Sequence, residues 1–173
     1  MKNILKSMRY KSLIMIIAIG LSNYSQAIQP SQLNNEQVKQ QDTILLPLHN
    51  IILNQNLTPQ EKIQLMQDLL RDKDNHININ AQDANGRTAL NLAAFYKADP
   101  IIVQFLIVHK ADVNEPDRFN ESPLHNAIKN EEILIATMLL KAGAHQEFKN
   151  DEGLTPIDLA RSPKTQTLFG FDS

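Results

Sequence analysis

Residues 83–114 read DANGRTALNLAAFYKADPIIVQFLIVHKADVN, and the chain then repeats itself. The pattern returns in altered form from Asp117 to Glu147, and its first half returns again from Asn150 to Arg161. Thr88, Ser122 and Thr155 fall in register at steps of 34 and 33 residues. Gly86, Asn120 and Gly153 align ahead of them; Leu90, Leu124 and Ile157, then Ala93, Ala127 and Ala160, align behind. Self-similarity at this period denotes stacked supersecondary units, each unable to bury its apolar face alone, and not one globular core.

The physics of one unit is legible in its residues. Gly86 and Gly153 occupy a turn position that calls for positive φ, and Asn120, which tolerates that conformation next best, replaces them once. Thr88, Ser122 and Thr155 directly precede helical patterns, where a hydroxyl satisfies an orphan N–H. Pro123 and Pro156 follow at the first helical position, where no N–H is needed. The pair Ala93-Ala94 makes a narrow helix that lets neighbouring units approach closely. Ile102, Val103, Phe105, Leu106 and Ile107, matched by Ile135, Met138, Leu139 and Leu140, give each unit a bulkier second helix.

These residues resemble the ankyrin repeat. Its TPLHxAA motif corresponds to TALNLAA (88–94), SPLHNAI (122–128) and TPIDLAR (155–161), and its GADVN close to KADVN (110–114), GAHQE (143–147) and a relic in ININ (77–80). The similarity spans about Pro47 to Phe171. It implies an all-α solenoid of helix–turn–helix units with projecting β-hairpin loops and a concave protein-binding side. The departures carry expectations of their own. Lys97-Ala98-Asp99-Pro100 holds one extra residue between helices, and Lys110 replaces the family's glycine, so its turn is expected to be strained or to close differently. Leu168 and Phe169 fall where the last unit's second helix should begin, which makes the C-terminus a truncated cap.

Outward from the repeats, Thr43–Leu53 has helical apolar spacing, and Thr58-Pro59-Gln60-Glu61 carries a cap, a proline at the first position and a capping box for a second helix. The pair reads as a degenerate first repeat, 43–82, ahead of repeats 83–116 and 117–149 and a partial repeat 150–173. Residues 28–42, rich in Gln and Asn, read as a flexible polar lead-in. Lys2, Lys6, Arg9 and Lys11, the apolar run Leu13–Leu21 and then Ser25-Gln26-Ala27 follow the order of a secretory signal peptide, 1–27. Nine apolar residues make roughly 14 Å of helix, short of a ~30 Å hydrocarbon core. An uncleaved signal anchor, extended by Ala18 to Tyr24, is the alternative. No cysteine follows the run to take a lipid.

Cleavage after Ala27 leaves 13 basic against 19 acidic side chains, a formal charge of −6. Such a chain lacks the basic cluster that nucleic acid or anionic lipid requires. The absence of cysteine suits an oxidising compartment entered without disulfides. Of the histidines, His49, His76, His109, His125 and His145, none forms a metal-ligand pair, and His49 and His125 sit at the repeat's histidine position, where a structural hydrogen bond is expected. No nucleophile, P-loop or dinucleotide motif occurs, so neither a catalytic residue nor a cofactor is expected.

What remains is a recognition surface. The family geometry implies that the hairpin tips present Asn85 and Arg87, Phe119 and Glu121, and Asp151, Glu152 and Leu154. The exposed side of the first helices adds Asn91, Phe95, Tyr96, Lys129 and Asn130. Phe119, Tyr96 and Arg87 are the candidate anchors, as aromatics and arginine dominate interface energetics; packing of Phe95 and Phe119 between units is the rival reading. The expectation is a monomeric, non-enzymatic module in the periplasm or outside the cell, free of the membrane once the signal is removed, that binds another protein. A membrane-tethered envelope scaffold, and a small secreted enzyme or host-directed effector whose activity would use acids such as Asp83 or Asp117 with a captured ion, are the alternatives.

Overall fold

The computed structural model describes residues 46–71 and 77–170. The expected signal peptide, the lead-in, Ile44, Leu45 and His76 lie outside them. Seven helices form among the described residues: α1 Pro47–Leu53, α2 Pro59–Arg71, α3 Ala89–Phe95, α4 Pro100–Val108, α5 Pro123–Lys129, α6 Ile133–Lys141 and α7 Pro163–Thr167. They pack in two rows, α1–α3–α5 inside and α2–α4–α6 outside, each inner helix also meeting the outer helix that follows it. This is the all-α solenoid expected of the repeats.

The helix starts follow the capping chemistry. Thr58 N donates to Glu61 Oε2 at 2.8 Å and Glu61 N returns a bond to Thr58 Oγ1 at 3.3 Å, closing a capping box at α2. Thr88 Oγ1 accepts from Asn91 N at 3.2 Å, Ser122 Oγ from His125 N at 3.4 Å and Thr155 Oγ1 from Asp158 N at 3.3 Å. Asp99, the residue gained in the longer unit, caps α4 by accepting from Ile101 N at 3.0 Å.

The turns and the helix ends are set by left-handed residues in register. Gly86, Asn120 and Gly153 have φ of 73°, 55° and 76°. Lys97 and Glu131 close the inner helices at 53° and 58°, and Lys110 and Gly143 close the outer ones at 70° and 93°. Lys110 does not close differently from glycine: Lys110 N bonds Ile107 O and Ala111 N bonds Leu106 O, as Gly143 N bonds Leu140 O and Ala144 N bonds Leu139 O. The lysine carries the left-handed conformation itself, at the steric cost of a Cβ.

Two expectations need correction. The projecting loops are tight turns, with no strand among the described residues; each closes through two backbone bonds, Asp83 N to Arg87 O and Gly86 N to Asp83 O, Asp117 N to Glu121 O and Asn120 N to Asp117 O, and Asn150 N to Leu154 O and Gly153 N to Asn150 O. In the last unit, Thr155–Ala160 forms successive i→i+3 turns in place of a helix, and the helix after it begins at Pro163, not at Leu168. Ser162 and Thr165 cap it reciprocally. This segment takes the shorter hydrogen-bond span that helix ends commonly adopt.

Burial follows the rows. Every residue from Ala89 to Ala94 is buried, as is every residue from Pro123 to Ile128, since each inner helix has neighbours on both flanks and an outer row behind. Ala93, Ala94 and Ala127 are fully enclosed, which is what close approach of adjacent units needs. Ala127→Asp would leave an unpaired charge between helices; unfolding by urea should show a loss of at least about 3 kcal/mol. A Cβ on Gly86 would stand 2.8 Å from Arg118 N, whereas one on Gly153 meets nothing within 4 Å. Both alanine variants should lose the ~1 kcal/mol of a left-handed residue, and Gly86→Ala should lose measurably more.

Candidate functional site

The outward face of the stack is built by three matching turns. Asp83 Oδ1 accepts from Asn85 N (2.8 Å) and Arg87 N (2.9 Å), Asp117 Oδ1 from Phe119 N (2.9 Å) and Glu121 N (3.0 Å), and Asn150 Oδ1 from Glu152 N (3.0 Å) and Leu154 N (2.9 Å). A short side-chain acceptor thus satisfies two amides at the tip of each turn. Neighbouring tips are joined by backbone bonds, Arg118 N to Asn85 O (2.9 Å) and Asp151 N to Phe119 O (3.1 Å). Asp83 and Asp117, the residues an ion-dependent activity would need, are engaged in holding these turns. Among the described residues no group of three His, Asp or Glu gathers as a metal site.

Behind the tips runs a second set of bonds. His49 Nε2 lies 2.7 Å from Arg87 O, Asn91 Nδ2 donates to Glu121 O at 3.3 Å and to Glu115 O at 3.1 Å, and His125 Nε2 lies 3.1 Å from Leu154 O. Arg87 O, Glu121 O and Leu154 O are the carbonyls just ahead of the capping residues Thr88, Ser122 and Thr155. A carbonyl can only accept, so the Nε2 proton of both histidines is assigned. His125 Nδ1 in turn accepts from Ser122 N at 3.2 Å. Leu46 stands at the corresponding position ahead of His49, and His49 Nδ1 is buried without a partner. Burial lowers the pKa of both histidines below the ordinary value, outweighing the carbonyl bonds that favour the charged form.

Asn91 therefore does not belong to a binding surface. It is fully buried and does the work of the repeat's histidine. Its face of α3 is covered because the next unit's turn lies directly on it.

Between the tips and the inner helices runs a groove of about 440 Å³. Arg87, Phe95, Phe119, Glu121, Lys129, Asp151 and Glu152 line it, together with Asn85. Asp117 and Asn150 line it as well; their register with Asp83 was the signal that could have found them as groove residues. Phe95 and Phe119 are 44% and 57% exposed, so neither is packing between units. Tyr96 is exposed beside the groove, its ring edge-on to Phe95 at 5.0 Å. Asn130 is tied back, its Nδ2 donating to Phe95 O at 2.9 Å. Leu154 is partly buried against the core.

The charges in the groove are partly spent. Arg87 meets Asp83 Oδ2 through Nε (3.0 Å) and Nη2 (2.8 Å), and Lys129 Nζ meets Glu121 Oε1 at 2.6 Å. Burial alone would raise the Asp83 carboxyl, but Arg87 and the turn amides hold its pKa below the ordinary value. The arrangement offers aromatic walls, oriented carboxylates and rigid turns. It suits binding.

The family model for ankyrin repeats, three copies, matches residues 58–150. Among curated proteins, the putative palmitoyltransferase ZDHHC13 of Danio rerio is 42% identical over 92 residues, covering 53% of this chain and 14% of that protein. Palmitoyltransferase ZDHHC13 of Homo sapiens is 32% identical over 92 residues, covering 53% and 15%. Alpha-latrocrustotoxin-Lt1a of Latrodectus tredecimguttatus is 36% identical over 90 residues, covering 50% and 6%. The chain thus spans a small part of these relatives, and the palmitoyltransferase matches fall on repeats and not on a catalytic domain. Among solved structures, the crystal structure of the ankyrin repeat domain of Bcl-3, a member of the IkappaB protein family, superposes with a TM-score of 0.61 at 29% identity, covering 72% of this chain and 51% of that one.

The two buried histidines give the stack a pH dependence of known sign. Their folded pKa lies below the unfolded value of about 6.5, so the unfolded chain binds more protons. The stability they contribute is complete above that value and declines as pH falls through it toward the folded pKa. Urea midpoints should drop between neutral and mildly acidic pH, with a slope of at most about 1.4 kcal/mol per pH unit per histidine. His125→Asn, which installs the side chain used at Asn91, should reduce that slope.

Proposed function

Because the chain belongs to the ankyrin-repeat family, whose repeats mediate protein–protein interaction, we propose that it is an exported docking module that holds another protein in the groove between its turn tips and inner helices. The observation that carries this reading is the convergence of Phe95, Phe119 and the tips of three consecutive units on one rigid, open groove. Ordered turns cost little entropy on binding, and half-exposed aromatics are the usual energetic centres of an interface. Export rests on the order of basic residues, apolar run and small residues in 1–27. The module acts as a monomer, after cleavage near Ala27, in the periplasm or outside the cell. No helix among the described residues is long and apolar enough to cross a membrane.

The second reading is a module tethered by an uncleaved leader, whose span would reach past Leu21 through Ser22-Asn23 to Tyr24. N-terminal sequencing of the fractionated protein separates the two: Ile28 as first residue supports release, and Met1 in the membrane fraction supports the tether.

A photo-crosslinking residue at position 119 should capture a discrete partner, and one at the exposed Leu134 on the outer row should not. The reverse pattern would move binding to the opposite face. Phe119→Ala should weaken partner binding by about tenfold or more while shifting stability by less than about 0.5 kcal/mol.

A further inference from the structure

The groove's charges do not cancel. Both of its cations, Arg87 and Lys129, are already paired with carboxylates of this chain, Asp83 and Glu121. Asp117, Asp151 and Glu152 line the same groove, and no described cation pairs with any of them. Asp151 Oδ1 accepts from Asn120 Nδ2 at 2.6 Å, and Asp117 Oδ1 takes the two turn amides. Those donors are neutral: they orient the carboxylates without removing the charge. The nearby Arg118 lies over the Phe119 ring, its guanidinium 5.9 Å from the ring centre, and its Nη2 donates to Ala84 O at 2.8 Å; it pairs with none of the three acids. The groove therefore presents three carboxylates that no described cation pairs, next to two half-exposed phenyl rings.

A flexible cationic side chain complements both features at once. Its methylene stem removes apolar ring surface from water while its head reaches the carboxylates, and the ring faces add a cation–π attraction. An acidic segment would meet like charge at each of the three acids. Resting on the reading that the groove holds a partner protein, we propose that it selects an extended partner segment bearing an arginine or lysine, whose stem lies along Phe95 and Phe119 and whose head sits at Asp151 and Glu152. Both acids are exposed at the turn tip, so neutralising them leaves the core untouched.

The test is a selection of displayed random dodecapeptides on the folded chain, with each binder then measured against Phe119→Ala and against the isosteric double variant Asp151→Asn/Glu152→Gln. The expected result is groove-dependent peptides enriched in arginine or lysine, which lose about tenfold in affinity on the double variant and weaken further as salt is raised. Groove-dependent peptides with no basic enrichment, or with affinities indifferent to the double variant, would overturn the inference and leave the docking reading standing. Selection of peptides that ignore Phe119→Ala, or of none, would overturn both.

Discussion

A buried backbone carbonyl must find a donor, and in this stack the carbonyl ahead of each unit's capping residue finds it in the previous unit. Arg87 O is met by His49, Glu121 O by Asn91 and Leu154 O by His125. The donors project from successive inner helices, each buried, so the bond forms only when two units are seated at the correct spacing and height. This converts a generic tendency of apolar helix pairs to stack into one register. In the last described unit Asp158, in the equivalent position, turns back to accept from Thr155 N (2.9 Å) and Thr155 Oγ1 (2.7 Å).

The binding face inherits its order from that register. Once the carbonyls are aligned, the turns carrying them are aligned too, and the acceptors Asp83, Asp117 and Asn150 fix the path of each tip. Joined by backbone bonds between neighbours, the tips form a continuous edge. Phe119 from one turn and Phe95 from the helix before it can then share a groove with Asp151 and Glu152 from the turn after it. The interaction chemistry is thus drawn from three units, none of which could present it alone.

Where sequence reasoning failed, it did so for identifiable reasons. Asn91 was assigned to an exposed helical face on the geometry that the family resemblance implies. In the seven-residue inner helix α3 every residue up to Ala94 is buried and only the C-terminal Phe95 is exposed, and the register of Asn91 with His49 and His125 was the better guide. The last helix was placed too late because Leu168 and Phe169 looked like the start of an apolar helix. Ser162-Pro163 followed by Thr165 carries the capping signature that marks the true start. Of the two outcomes expected at Lys110, strain and a different closure, the first holds: the turn closes as it does at Gly143, with the lysine itself left-handed at φ 70°.

The sequence by itself determined the period, the caps and the left-handed positions, since these depend on local sterics and hydrogen bonds within a few residues of Thr88, Ser122 and Thr155. It also placed on the turns and inner helices most of the side chains that line the groove. Only the tertiary structure decided which of them face the groove and in what electrical state. The exposure of Phe95 and Phe119, the burial of Asn91 and the pairing of Arg87 and Lys129 with Asp83 and Glu121 all depend on how the chain folds on itself from turn to helix and how closely units stack. That spacing is a property of the assembled stack, and no single repeat contains it.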